Sequence, residues 1–443
     1  MISTSRLRTI SIALMLVLGA GTAVFTQGVT LPLAKPESVG MSSERLKRLD
    51  ARMQEYIDKK LVAGTVTLVA RKGKVVHYNA LGHSWIEEKK PMEKDNIFVI
   101  MSMTKPIVST ALMMLHEEGK FLLNDPISKW IPEFENLQAI EEIPNSGSGA
   151  PTTRTVPARA ITVRHVLTHT SGVNTGPRAG GPGRAGGVAA GGPAPRRVLA
   201  DSVIALAKNP LRFQPGTQWE YGSSTDIVAL LAERISGMNM DDFLRERIFK
   251  PLEMNDTHYN VPESKTSRKA AVYQPVRDKG NTIELSQAPR TNPPTTYFGG
   301  VAGLSSTAAD YFRFAQMMLN GGELDGVRLL SPKTVDLMLT NHIGELPVAN
   351  KGPGYGFGLG FSILRDPGKS SEPLSPGSGG WGGAWGTYFF VDPVEEMTAI
   401  LMIQMTSHAH LSIRADLTAL ATQAIIEAQS GGRHKVMGYV PLK

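Results

Sequence analysis

The chain contains no cysteine. That excludes disulfides, thiolate metal sites, a Cys nucleophile and the lipid-bearing Cys of a bacterial lipoprotein, so stability has to come from packing alone. Aromatic residues make up only 7% and charged residues 20%, against 41% hydrophobic. This is an ordinary globular composition, which argues against disorder, a coiled coil or a multi-span membrane protein. Lys+Arg exceed Asp+Glu by 47 to 40, for a formal charge of +7. The excess is diffuse, no aromatics interleave it and no reader motif accompanies it, so no nucleic-acid partner is expected. Several catalytic signatures are also missing: there is no Gly-x-Ser-x-Gly elbow and no Gly-x-x-x-x-Gly-Lys loop, and His116-Glu117 lacks the second His of a zinc helix. His408-x-His410 reads as an ordinary loop or strand end rather than a metal pair. Neither a metal nor a cofactor is expected.

What is present begins with an export-like segment at 1–23. Arg6 and Arg8 form a charged start, Ile10 to Leu18 an apolar run, and Gly21 and Ala23 supply small residues for cleavage. The run falls short of the ~20 residues a spanning helix needs, and no later segment could cross a bilayer. The mature body is therefore expected to be soluble and secreted or periplasmic. At 443 residues, the chain has room for two or three structural units.

Hydrophobic spacing predicts the elements. Leu46, Leu49, Met53 and Ile57 recur at three and four over Glu44 to Asp58, an amphipathic helix. Gly64 to Ala70 and Val75 to Ala80 read as a strand hairpin turning at Arg71 to Lys74. Over Ile97 to Glu118, Ile107, Val108, Ala111, Leu112 and Leu115 form a buried helical face. Pro106 is tolerated only in a first turn, which puts the helix start near Ser102. Asn145 to Pro157 and Asn174 to Arg197 are Gly/Pro/Ser-rich and read as mobile surface loops, the second with a lid over a cleft as the alternative. Helices are predicted at Ser202 to Ala207, at Thr225 to Ser236 with Gly237 as cap, and at Leu417 to Ala428. Strands are expected at Thr387 to Val391 and Thr398 to Met405. Mixed elements at both ends around a helical middle suggest an α/β layer with an insertion.

Three local motifs could carry chemistry. Ser102-Met103-Thr104-Lys105 places a hydroxyl and an amine on one helical face, at a helix start where backbone N–H groups favour negative charge. A free Lys, with pKa ~10.4, is a poor base at neutral pH, so burial has to help it. Tyr221, after Pro215-Gly216, is a phenol held at the end of a turn, able to act as a proton acceptor or donor. Trp381-Gly382-Gly383-Ala384-Trp385 leads into a strand, where glycines let a substrate approach backbone N–H groups that can hold an oxyanion. Taken singly, each has a bland reading: a chance Ser-x-x-Lys, a packing tyrosine, and a glycine turn between tryptophans.

In this order the motifs resemble the serine β-lactamase-like superfamily, specifically the class C β-lactamase, family VIII carboxylesterase and D,D-peptidase group. The resemblance runs from about Glu37 to Ile426 and includes ITVRHVLTHTSGV (161–173), FQPGTQW (213–219), GGVAGLSSTAA (299–309), YGFGLG (355–360) and GWGGAWGTYFFVDP (380–393). It implies an α/β (α+β) fold of the β-lactamase/penicillin-binding-protein type: a mainly antiparallel sheet flanked by helices, with an inserted helical domain. By position, 37–125 plus 290–430 would form the α/β domain, and 126–289 the helical insertion carrying loop 174–197.

The resemblance further implies Ser102 as the acylated nucleophile, Lys105 as its base or proton partner, and Tyr221 as general base and acid. Ser102 and Ala384 would supply the oxyanion N–H groups. Two departures bear on the substrate. Ser223 stands where β-lactamases of this group have the Asn of Tyr-x-Asn, and Trp381-Gly382-Gly383 stands where they have Lys-Thr-Gly. The second removes a cation that would hold a substrate carboxylate, a contact about twice as strong when charge-assisted. Ser223, Trp381, Gly382 and Gly383 are the expected substrate-binding residues.

The expectation is an exported serine hydrolase acting on a small-molecule ester or amide, first a carboxylesterase of short acyl esters. β-Lactamase or D-amino-acid peptidase activity by the same mechanism is the alternative. A β-lactam-binding or scaffold protein without turnover is the alternative of another class.

Overall fold

A computed structural model describes residues 31–143, 152–173, 198–290 and 294–427. The export-like segment 1–23 and the Gly/Pro/Arg-rich stretch 174–197 lie outside the described residues. Helix α1 (Ser43–Asp58) starts where the Ser42 side chain accepts from the Arg45 N–H, a capping bond that satisfies one orphan donor. It buries Leu46, Leu49, Met53 and Tyr56, with Ile57 at the edge of that stripe.

Strand β1 (Gly64–Arg71) returns through Lys72 and Gly73, at φ 52° and 70°, into β2 (Lys74–Trp85). Two consecutive left-handed residues give the hairpin turn whose twist suits the flanking strands. After the short β3 (Lys90–Pro91), the chain leaves this layer. It returns much later as β4 (Tyr355–Phe357), β5 (Ser362–Leu364), β6 (Gly379–Gly382), β7 (Tyr388–Asp392) and β8 (Met397–Met402). The eight strands form one sheet in the order β4-β5-β6-β7-β8-β1-β2-β3, all neighbours antiparallel. The two parts of the chain meet where β1 pairs with β8, from Val66 opposite Met402 to Arg71 opposite Met397.

Strands β1, β7 and β8 are buried at every position, so helices cover both faces of the sheet centre. Helix α2 (Thr104–Glu117) is buried from Thr104 through Leu115 and packs against α3 (Ser224–Ser236). Helix α4 (Ala308–Leu319) lies on β1, β7 and β8, while α5 (Ile413–Thr422) packs on β8 and on α1. Helix α3 ends at Gly237 with φ 74°, the left-handed cap expected there.

Four boundaries depart from the sequence reading. Within Ile97 to Glu118, Phe98–Val99 is a short strand paired with Ser305–Ser306 and Met101–Met103 is a 3-10 turn, so the α-helix begins at Thr104. Thr152–Pro157 is a strand, not a loop, because it pairs in full register with Gln138–Ile143. Its Thr153, Thr155 and Val156 are β-branched and suited to a ladder, a preference that the neighbouring Ser, Gly and Pro residues masked. The helix expected at Ser202 begins at Leu199, and the last helix starts at Ile413 and ends at Thr422.

Candidate active site

Ser102 sits in the 3-10 turn one step before α2, half-buried. The turn is forced: Met101 adopts φ 48°, a left-handed conformation costly for a residue with a Cβ. Its surroundings hold it there. Ile100 N–H donates to the Leu304 carbonyl at 3.0 Å, Tyr311 Oη donates to the Met103 carbonyl at 2.9 Å, and Gln404 bridges both polar groups of Val99. Strain of this kind persists only where neighbouring contacts over-determine it.

Lys105 is 1% exposed. Its Nζ donates to Ser102 Oγ at 3.2 Å and to the Val301 carbonyl at 2.9 Å, and lies 4.6 Å from the centroid of the Tyr221 ring. The hydroxyl and amine of the first sequence motif and the phenol of the second thus converge, although Tyr221 is more than a hundred residues away in the chain. Tyr221 is brought in by the 161–173 motif. His169, at φ 57°, offers its carbonyl to the Glu220 N–H at 3.0 Å and packs its ring 5.0 Å from that of Tyr221. Burial, with Lys105 adding to it, pushes His169 down to about 3, so its imidazole is neutral.

Ser102, Tyr221, Trp381, Gly382, Gly383 and Ala384 line one cleft of about 370 Å³. The Trp381 indole N–H donates to Tyr221 Oη at 3.2 Å, so the tryptophan standing at the Lys-Thr-Gly position contacts the phenol directly. Gly383 has to be glycine: a Cβ there would collide with the Ile100 carbonyl and the Thr387 side chain. The N–H groups of Ser102 and Ala384 donate to no acceptor in the described turns and loops. Two such donors beside a hydroxyl can stabilise an oxyanion. Ser223 is not among the lining residues. It caps the start of α3, where its carbonyl accepts from the Asp226 N–H.

Sequence reasoning missed the charged wall of this cleft. Lys351, Glu372 and Arg414 all line it, from a loop before β4, a loop before β6 and helix α5. Lys351 Nζ is 3.5 Å from Glu372 and stacks over the rings of Tyr355 and Tyr388, and burial pulls its ammonium below the usual lysine range. The Arg414 guanidinium is pushed down to about 10 by burial. It donates to the carbonyls of Gly383, Gly386 and Thr387 and so braces the glycine loop. His408 lines the cleft as well, with Nδ1 3.2 Å from the Ala384 carbonyl, and is pushed down to about 3 by burial. No sequence motif marked Lys351, Glu372 or Arg414, since they come from separate segments without mutual spacing, and His408, read as part of an ordinary loop or strand end, lines the cleft all the same.

The family model described as Beta-lactamase matches residues 49–423. Protein Rv1367c of Mycobacterium tuberculosis is 36% identical over 365 residues, covering 80% of this chain and 88% of that protein. Esterase EstB of Burkholderia gladioli is 28% identical over 396 residues, covering 85% of this chain and 94% of that protein. Among solved structures, EstCE1, a hydrolase with promiscuous acyltransferase activity, superposes with a TM-score of 0.69 at 26% identity, covering 87% of this chain and 99% of that one.

Proposed function

This chain belongs to the Beta-lactamase family and is a serine hydrolase; on that premise we propose that it is an exported carboxylesterase of short acyl esters, with Ser102 as nucleophile. Ser102 Oγ attacks the ester carbonyl while its proton passes to the Lys105–Tyr221 pair, and the oxyanion forms against the N–H groups of Ser102 and Ala384. The proton is then returned to the departing alkoxide, and water releases the acid from Ser102 by the same route. The observation that carries the ester reading is Trp381. Its neutral N–H on Tyr221 occupies the place of a cation that would hold a carboxylate, and the similarity to Esterase EstB supports the same reading. Export rests on Arg6, Arg8 and the apolar run Ile10 to Leu18.

The charged wall favours a second reading by the same chemistry, β-lactam or D-amino-acid peptide hydrolysis, because Arg414 and Lys351 could face a substrate carboxylate. Both are already engaged, Arg414 by three backbone carbonyls and Lys351 by Glu372, which leaves the ester reading ahead. The test is turnover of a nitrophenyl ester against a chromogenic cephalosporin, with S102A as control and intact mass after a fluorophosphonate probe. Ester turnover and a single adduct, both lost in S102A, are expected. Cephalosporin turnover exceeding ester turnover would reverse the order of the two readings. No adduct at all would remove Ser102 as nucleophile.

A further inference from the structure

The cleft extends beyond the reacting groups, and Gly382 is where it opens sideways. A Cβ at 382 would come 2.7 Å from the Arg414 guanidinium, which three backbone carbonyls hold in place. Tyr388 lies directly opposite Gly382 across the β6–β7 pair and so faces the same side. Without a side chain at 382, the cleft is open to Arg414, Tyr388, Lys351 and Glu372. The reaction proposed above assigns none of these four a step.

This side wall holds unused hydrogen-bonding capacity of both kinds. Arg414 Nε and Nη2 serve the Gly386, Gly383 and Thr387 carbonyls, while Nη1 donates to no acceptor among the described residues. Lys351 Nζ stands 3.5 Å from Glu372 Oε1, longer than the roughly 2.7–2.9 Å of a charge-assisted hydrogen bond, so both atoms keep room for a third group. Glu372 is fixed in this position because its Oε2 accepts from Tyr355 Oη, with Tyr388 Oη 3.5 Å away. A substrate carboxylate can only accept and is repelled by Glu372, and an ammonium can only donate and is repelled by Lys351 and Arg414. A hydroxyl does both: it accepts from either cation and donates to Glu372 Oε1, leaving the charge balance of the wall as it was.

We propose that Glu372, with Lys351 and Arg414 beside it, is the specificity-determining residue of this cleft, and that the short acyl ester it selects is the ester of a polyhydroxylated alcohol. This rests on the ester reading above. In that reaction the Lys105–Tyr221 pair returns the proton to the departing alkoxide, and Tyr221 Oη is tied to Trp381, the residue before Gly382. The departing oxygen therefore lies where the side wall begins, so the alcohol, rather than the acyl chain, meets Glu372. A plain alkyl alcohol would displace water from these charged groups without replacing its hydrogen bonds, a cost that a polyol avoids. Hydrolysis adds one water across the ester and releases the acid and the free polyol, with no further reactant.

The test is kcat/KM, read as acetic acid release by the full chain, for three esters: glyceryl monoacetate, propyl acetate and the anionic acetoxyacetate, with thermal midpoints alongside. Wild type should prefer glyceryl monoacetate to propyl acetate by about tenfold or more. E372Q should shrink that ratio by about fivefold, the difference between a hydrogen bond to a charged and to a neutral acceptor, and should raise acetoxyacetate relative to glyceryl monoacetate. A wild-type ratio near one overturns the proposal, as does a wild-type preference for acetoxyacetate over glyceryl monoacetate, or an E372Q that slows all three esters equally. Should E372Q fail to fold, K351Q is read by the same ratio: a fall supports the proposal and an unchanged ratio overturns it. The wild-type ratio decides whether or not either variant folds. A wild-type chain that takes no fluorophosphonate on Ser102 sinks the proposed reaction, and the polyol preference with it. A labelled wild type whose ratio is near one sinks the polyol preference alone.

Discussion

Replacing Trp381 by Phe tests how much charge Tyr221 develops during acylation. The substitution removes one donor, the indole N–H held 3.2 Å from Tyr221 Oη, and keeps an aromatic ring near those of Tyr221 and Phe357, 5.2 and 5.4 Å away. A hydrogen bond between neutral groups is worth about 1 kcal/mol net, and one to a charged oxygen about 1.5–3 kcal/mol. Since each 1.36 kcal/mol is tenfold in rate, kcat should fall roughly 10- to 100-fold if the phenol oxygen is anionic in the transition state, and less than tenfold if it stays neutral. Trp381 is 3% exposed, so the smaller ring also costs stability, about 1–3 kcal/mol. The assay is steady-state hydrolysis of a nitrophenyl ester at a temperature where the variant's melting curve shows it folded. A kcat within twofold of wild type, or a change confined to KM, refutes the claim that this N–H supports a charged Tyr221.

Further outcomes follow from the same geometry. R414Q should lower kcat by about tenfold, because it removes the braces on the Gly383, Gly386 and Thr387 carbonyls that hold the Ala384 N–H in place; unchanged kcat with a shifted KM would mean that Arg414 touches substrate only. G383A should lower both Tm and kcat, since its methyl has to displace the Ile100 carbonyl, and an unchanged Tm would contradict that contact. Stability should fall as the pH drops below about 6.5, because burial holds His165 and His258 down to about 4 and His169 and His408 down to about 3. Their folded-state pKa values lie below the unfolded value, so acid protonates the unfolded chain first. Asp310 acts with the opposite sign: burial pushes it up to about 7, so its contribution is lost as the pH rises from about 4 to 7, and D310N should steepen the rise measured by denaturant melts over that window.

Much of this protein is written in short-range pattern. Spacings of three and four locate α1 and α3, β-branched alternation locates the β1–β2 hairpin, continuous apolar runs locate β7 and β8, and one Ser-x-x-Lys places the hydroxyl and amine a turn apart, because these depend only on residues within a few positions of one another. The Thr152–Pro157 strand was hidden because its identity depends on a partner strand rather than on its own polar composition. The start of α2 was hidden because Tyr311, Leu304 and Gln404, distant in the chain, fix the turn before it. The charged wall was hidden for the same reason. Lys351, Glu372 and Arg414 come from three separate segments. The sequence by itself determined which groups could react; the tertiary structure alone decided which charges surround them, since electrostatic partners are chosen by distance in space and not by distance along the chain.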